Sequence, residues 1–157
     1  MVVQVEDVNK LVTMLLVVID QISKVLINNY LRLNESIKII NNLFYITNAH
    51  NEGAAWSILS GNTLFLIIIT FISIYLIHKY TKEYKGIFKY ILYGGIIGNL
   101  LDRILYGYVR DFIDFRIFNY NYPVFNISDI CIFIGMFILV IKIVKDEKYG
   151  STSRRCK

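Results

Sequence analysis

Apolar residues along this chain gather into four stretches separated by polar, charged or aromatic segments. The first, Leu11–Ile27, is broken by Asp20 and Lys24, and the second centres on Thr63–Ile77 in the run TLFLIIITFISIYLI. The third, Gly86–Leu101, is weaker and carries tyrosines, Lys89 and glycines; the fourth is Ile130–Val144. A helix that crosses a bilayer needs about 20 mostly apolar residues. The pattern therefore predicts a mainly α, integral membrane fold with four transmembrane helices over about 11–27, 60–78, 86–105 and 127–145. Between the first two, residues 28–59 hold alternating patches such as SIKII and LFYIT, which predict short strands in a small β-sheet. Residues 106–125, between the last two, are expected to form a short outer loop or helix flap. Residues 1–9 are polar, unpatterned and expected to be mobile.

Composition supports this class. Apolar types make up 55% of the 157 residues, charged types 18%, and the mean hydropathy is +0.50. Soluble domains run near 45–50% apolar and about 25% charged. Four spans use half the chain, which excludes a large soluble catalytic domain and implies one domain over 1–157. The first stretch is expected to be a retained helix and not a secretory leader: it has interior charges, Glu6 and Asp7 precede it, and no small-x-small exit site follows. Cys131 lies in an apolar run and Cys156 in the basic tail, so no disulfide framework is expected. His50 and His78 sit in different segments and suggest no metal site.

Charge gives an orientation. Lys79, Lys82, Lys85 and Lys89 lie between spans two and three, and Lys142, Lys145, Lys148, Arg154, Arg155 and Lys157 follow span four. With Lys10, eleven of the seventeen basic residues fall on one side, which the positive-inside rule makes cytoplasmic. Both termini are then cytoplasmic, and the β segment and the flap are extracytoplasmic. The net charge of +5 is explained by this bias and by contact with anionic lipid, not by nucleic-acid binding.

Ionisable groups at membrane depth are costly and default to functional candidates. Of twelve carboxylates, Asp20, Asp102, Asp111, Asp114 and Asp129 lie in or beside the spans, and the orientation sets all five in one layer near the outer interface. Asp20 and Lys24 are four apart and share a helix face, as a self-neutralising pair would. Gly95, Asn99, Asp102 and Arg103 fall on one face of span three, and Gly94 with Gly98 permits close helix contact. That seam reads as structural glue. Asp111 and Asp129 have no cation at helical spacing. Arg110 adjoins Asp111, but in an extended chain it points the opposite way. Asn126 is a good N-cap with Asp129 at N3, so a capping role competes with a catalytic one for Asp129. A solvated loop acid is the competing reading of Asp111.

Two carboxyls that share one proton can hydrolyse a peptide without metal or nucleophilic side chain. The ionised one draws a proton from water, and the protonated one polarises the carbonyl and then feeds the leaving amine. A Ser–Lys hydrolase fits less well, because Ser23 and Lys24 are adjacent on a helix and face apart. Two other classes stay open: a proton- or cation-coupled transporter using Asp20, Asp102 and Asp129, and a non-catalytic assembly subunit held by the Gly94/Gly98 seam. No inverted repeat supports the transporter.

Five short boxes occur in order: Asp20-Gln21-Ile22-Ser23-Lys24, Asn51-Glu52-Gly53-Ala54-Ala55, Gly98-Asn99-Leu100-Leu101-Asp102-Arg103, Val109-Arg110-Asp111-Phe112 and Phe125-Asn126-Ile127-Ser128-Asp129. With four spans and this orientation, the chain resembles bacterial lipoprotein signal peptidase, the type II signal peptidase, over about 110 residues. The resemblance implies a single membrane peptidase domain, an aspartic endopeptidase of the bacterial cytoplasmic membrane, multi-pass, that cuts prolipoproteins before a diacylglyceryl-modified cysteine. It implies catalysis by Asp111 and Asp129 near the outer leaflet. Asp20, Lys24, Asn51, Gly53, Asn99, Arg103 and Asn126 match conserved boxes that shape the pocket and hold the substrate, and Asp102 lies among them. It implies no cofactor and no metal. Expected partners are the lipid-modified prolipoprotein and membrane lipid, with no nucleic acid, and the protein is expected to be a monomer and a globomycin target. Ser128 stands where the family usually has Ala, and Arg110 where an apolar residue is common.

Overall fold

The computed structural model describes residues 5–53, 60–117 and 120–154. Four helices and four strands follow in the order α1 (Val5–Tyr30), β1 (Ser36–Ile40), β2 (Phe44–Asn51), α2 (Thr63–Tyr80), α3 (Phe88–Tyr106), β3 (Val109–Ile117), β4 (Tyr120–Asn121) and α4 (Ile127–Arg154). Ala54, Ala55, Phe118, Arg155, Cys156 and Lys157 fall outside the described residues.

Among the described residues, three helices are long and apolar enough to cross a membrane: α1, α2 and α4. Their outward faces carry exposed Leu15, Ile22, Phe71 and Phe137 among many others, an apolar surface of the kind that meets lipid. This is a membrane protein. The fourth helix, α3, is less apolar because it is the buried centre of the bundle. It packs against α1, α2 and α4, and it buries Leu92, Ile96 and Leu100 beside Asn99 and Asp102. A polar group inside a bundle can find a partner that lipid does not offer. By contrast α2 buries only Leu66.

The glycines of α3 allow this closeness. A Cβ on Gly94 would stand 3.0 Å from Leu16 Cβ of α1, and one on Gly98 would stand 2.8 Å from Asp20 Oδ2 and overlap Ser128 Oγ. The Gly94/Gly98 pair therefore seats α1, with Gly98 also touching the start of α4.

All four strands lie at one end of the helices, after the C-termini of α1 and α3 and before the N-termini of α2 and α4. The sheet order is β1-β2-β3-β4, antiparallel throughout, with β4 a two-residue addition. Residues 106–125 thus differ from the expected loop or helix flap: Val109–Ile117 is a strand paired with β2. Its sequence VRDFIDFRI hides the strand because both faces are largely buried, which erases the apolar–polar alternation of a half-exposed strand. A bulge between Ile46 and Ala49 lets Thr47 and Asn48 oppose Phe112. At the other terminus α1 begins at Val5, so residues 5–9 form its first turns instead of a mobile tail.

Candidate active site

Strand alternation decides the site. Along β3, Arg110 and Asp111 project to opposite faces. Asp111 pairs across the strands with Ala49, which leaves room, and Asn51 lies diagonally on the same face. Asp111 is 3% exposed, so it is no solvated loop acid. Its Oδ2 accepts from Asn51 Nδ2 at 3.0 Å and its Oδ1 from Asn126 Nδ2 at 2.6 Å.

Asn126 starts α4 and joins both aspartates. Its Oδ1 accepts the Asp129 backbone N–H at 3.0 Å, and its own N–H donates to Asp129 Oδ2 at 3.1 Å. This reciprocal capping box confirms the expected cap. Capping occupies one carboxylate oxygen only. The other, Oδ1, accepts from Asn99 Nδ2 at 2.7 Å. Asp129 is therefore a helix cap and a member of the polar site at once.

Three amides surround the two acids, and each is held in one orientation from behind. Asn51 Oδ1 accepts the Gly53 N–H at 3.0 Å, which turns its NH2 toward Asp111. Asn126 Oδ1 accepts a backbone N–H, as above. Asn99 Oδ1 accepts from Lys24 Nζ at 3.0 Å and from Asn126 Nδ2 at 3.1 Å, which turns its NH2 toward Asp129. An amide has one accepting and one donating end, so a donor at the oxygen fixes the other end as donor. Among the described residues neither Asp111 nor Asp129 forms a salt bridge. Burial, and next the negative charge of Asp129, push the Asp111 carboxyl up to about 7.

The remaining predicted residues form a second cluster behind the first. Lys24 Nζ lies 2.7 Å from Asp20 Oδ2 and 3.4 Å from Asp102 Oδ2, all three buried. Asp20 is more than the partner of Lys24, because its Oδ1 accepts the Ser128 N–H at 2.9 Å and ties α1 to the start of α4. Asp102 binds Arg110 and accepts from Gln21 Nε2 at 2.9 Å. Arg103 leaves this cluster, turning its Nη2 to the Gly53 carbonyl at 3.2 Å.

Sequence reasoning did not give Gln21 or Arg110 a site role. Gln21 carried a signal, a polar side chain inside an apolar helix. Arg110 carried none beyond its charge, since its partner depends on where β3 lies. His50, in register with Arg110, stacks on Tyr108 at 3.8 Å. Burial first, and then Arg110, lower its pKa.

A cavity of about 860 Å³ opens on Asp129 and on Asn51, the partner of Asp111. Asn51, Asn99, Arg103 and Asp129 line its polar head, and Phe133, Phe137 and Val140 of α4 its apolar wall. A smaller one of about 290 Å³, between α2, α3 and α4, reaches the same Asn99 and Arg103.

Known proteins resemble the chain in sequence and in fold. Residues 12–145 match the family model described as Signal peptidase (SPase) II. A bacterial membrane enzyme solved by the in meso method at 2.3 Å resolution is 35% identical, with a TM-score of 0.79 over 89% of this chain and 89% of that one. Another, solved the same way at 1.9 Å resolution, is also 35% identical, with a TM-score of 0.76 over 88% of this chain and 94% of that one. The chain belongs to the signal peptidase II family, aspartic peptidases that cleave the signal peptides of lipoproteins.

Proposed function

We propose that Asp111 and Asp129 carry out this cleavage as a pair sharing one proton, at the extracytoplasmic rim of a four-span bundle. The observation that carries the reading is Asn126, which donates to Asp111 with its side chain and to Asp129 with its backbone. The ionised carboxylate takes a proton from water, and the hydroxide so formed adds to the scissile carbonyl carbon. The protonated carboxyl donates to the carbonyl oxygen. When the tetrahedral intermediate collapses, the C–N bond breaks and the amine leaves with a proton from the pair. The amides of Asn51, Asn99 and Asn126 hold both carboxyls without adding a charge that would keep both ionised.

The cavity suits an amphiphilic substrate. Its polar head would hold the peptide bond, and its Phe133–Phe137 wall would receive hydrocarbon. Such a substrate is a diacylglyceryl-modified prolipoprotein entering sideways from the outer leaflet, with cleavage before the lipidated cysteine. The sheet lies at the end of the helices away from the lysine-rich segment 79–89, which supports extracytoplasmic placement and cytoplasmic termini. One domain acting as a monomer meets the needs of this chemistry. The test is to give purified protein the lipid-modified and the unmodified precursor side by side. Cleavage of the modified precursor alone is expected; equal cleavage of both would remove the lipid from the recognition.

A further inference from the structure

Arg110 is almost fully buried, 5% exposed, yet it does not face the acids. Its backbone N–H donates to Asp102 Oδ2 at 2.9 Å, its Nε to the same oxygen at 3.2 Å, and its Nη2 to Asp102 Oδ1 at 2.7 Å. Nη2 also donates to Gln21 Oε1 at 2.9 Å, and the guanidinium lies 4.4 Å from the Tyr106 ring centroid. One residue of β3 is thus gripped by its main chain and by a two-pronged side chain, on α3 and on α1. The next residue is Asp111.

We propose that Arg110 is a positioning residue for the cleavage reaction, fixing the β3 backbone against Asp102 and Gln21 so that the Asp111 carboxyl stands where Asn126 and Asp129 meet it. This rests on the reading of Asp111 as half of the reacting pair. The alternation of the strand makes the device work: the cation anchors the backbone from behind and stays off the carboxyl in front. Charge balance permits the burial. Asp20 and Asp102 face Lys24 and Arg110, two anions against two cations. A planar fork defines a direction as well as a charge, which an ammonium does not. The cavity that receives substrate is not lined by Arg110, so substrate affinity is independent of it.

Arg110→Lys keeps the charge balance, and hence folding, while losing the fork. Its kcat should fall about tenfold or more with KM unchanged, because small misplacements of a reacting group cost that much. The alkaline limb of its kcat–pH profile should move, because the contacts around Asp111 loosen. Arg110→Ala should fall further where it folds, and adding Asp102→Asn to Arg110→Lys should cost less than the product of the single losses. Wild-type kcat and an unmoved limb in Arg110→Lys, or a loss in KM alone, overturn the proposal. Asp111→Asn is measured alongside. If it still cleaves, the reading of Asp111 fails; if it is dead and Arg110→Lys is wild-type, only the positioning role fails.

Discussion

Two groups of buried aspartates lie back to back in this molecule, and their donors differ. Asp20 and Asp102 are met by Lys24 and Arg110. Asp111 and Asp129 are met by Asn51, Asn99, Asn126 and a backbone N–H. A cation at contact distance ties a carboxylate into an ion pair and leaves it with a structural task. Amides satisfy the same oxygens while leaving a proton free to come and go. Burial is therefore not what distinguishes the pair proposed to react, since all four are buried or nearly so. The distinction is neutrality of the donors, and Asn99 is the seam, with its oxygen on Lys24 and its NH2 on Asp129.

The strongest break of this contrast is to remove a carboxylate from the amide-held group. Asp111→Asn and Asp129→Asn should each lower cleavage by about a thousandfold or more, given that such groups contribute about 10²–10⁴ as acids or bases and act here as a unit. Both should still insert and fold. A gel assay on lipid-modified precursor reads the loss; substantial turnover by either variant takes that residue out of the reacting pair.

Cutting into the other group should act on stability first. Lys24→Met leaves Asp20 without its closest cation inside the bundle and removes one of the two donors at the Asn99 oxygen. Breaking a buried pair on one side costs about 3–5 kcal/mol. A clear fall in Tm of the detergent-solubilised protein is expected, larger than that of either aspartate variant of the reacting pair. An unchanged Tm would erase the distinction between the two groups.

The groups should also differ toward pH. Burial and the charge of Asp129 raise the Asp111 carboxyl to about 7, so the protonated form is favoured below that pH and lost above it. Above it the pair loses its single proton, and kcat should drop roughly tenfold per unit on the alkaline side. A rate that stays level from pH 6 to 9 would place the essential proton elsewhere.

Much of this was legible in the sequence, and for local reasons. Apolar runs fixed three helices, Asn126-x-x-Asp129 wrote its own cap, and the Asp20–Lys24 spacing foretold a shared face. What was hidden depends on distant chain segments. Nothing near Asp20 announces that it binds the N–H of Ser128, 108 residues away. The third strand reads from the sequence as an outer loop or helix flap, because Arg110 and Asp111 are both buried, on opposite faces, by partners from α1, α3, β2 and α4. Helix α3 is weakly apolar for the same reason: its surroundings are protein.

The smallest expected effect isolates geometry from charge. Asp114 sits on the same strand as Asp111, three residues on, and so on the other face. It is buried as well, at 4% exposed, but its Oδ2 meets the Thr47 hydroxyl at 2.7 Å and the Arg116 guanidinium at 2.5 Å. By the donor criterion it belongs with Asp20 and Asp102. The Arg116 side chain is 36% exposed, so solvent weakens the pair, and about 1 kcal/mol or less should be lost in Asp114→Asn. Cleavage should stay within about twofold of wild type. A large loss of rate with a small change in Tm would mean that strand position, not donor chemistry, selects the working aspartates.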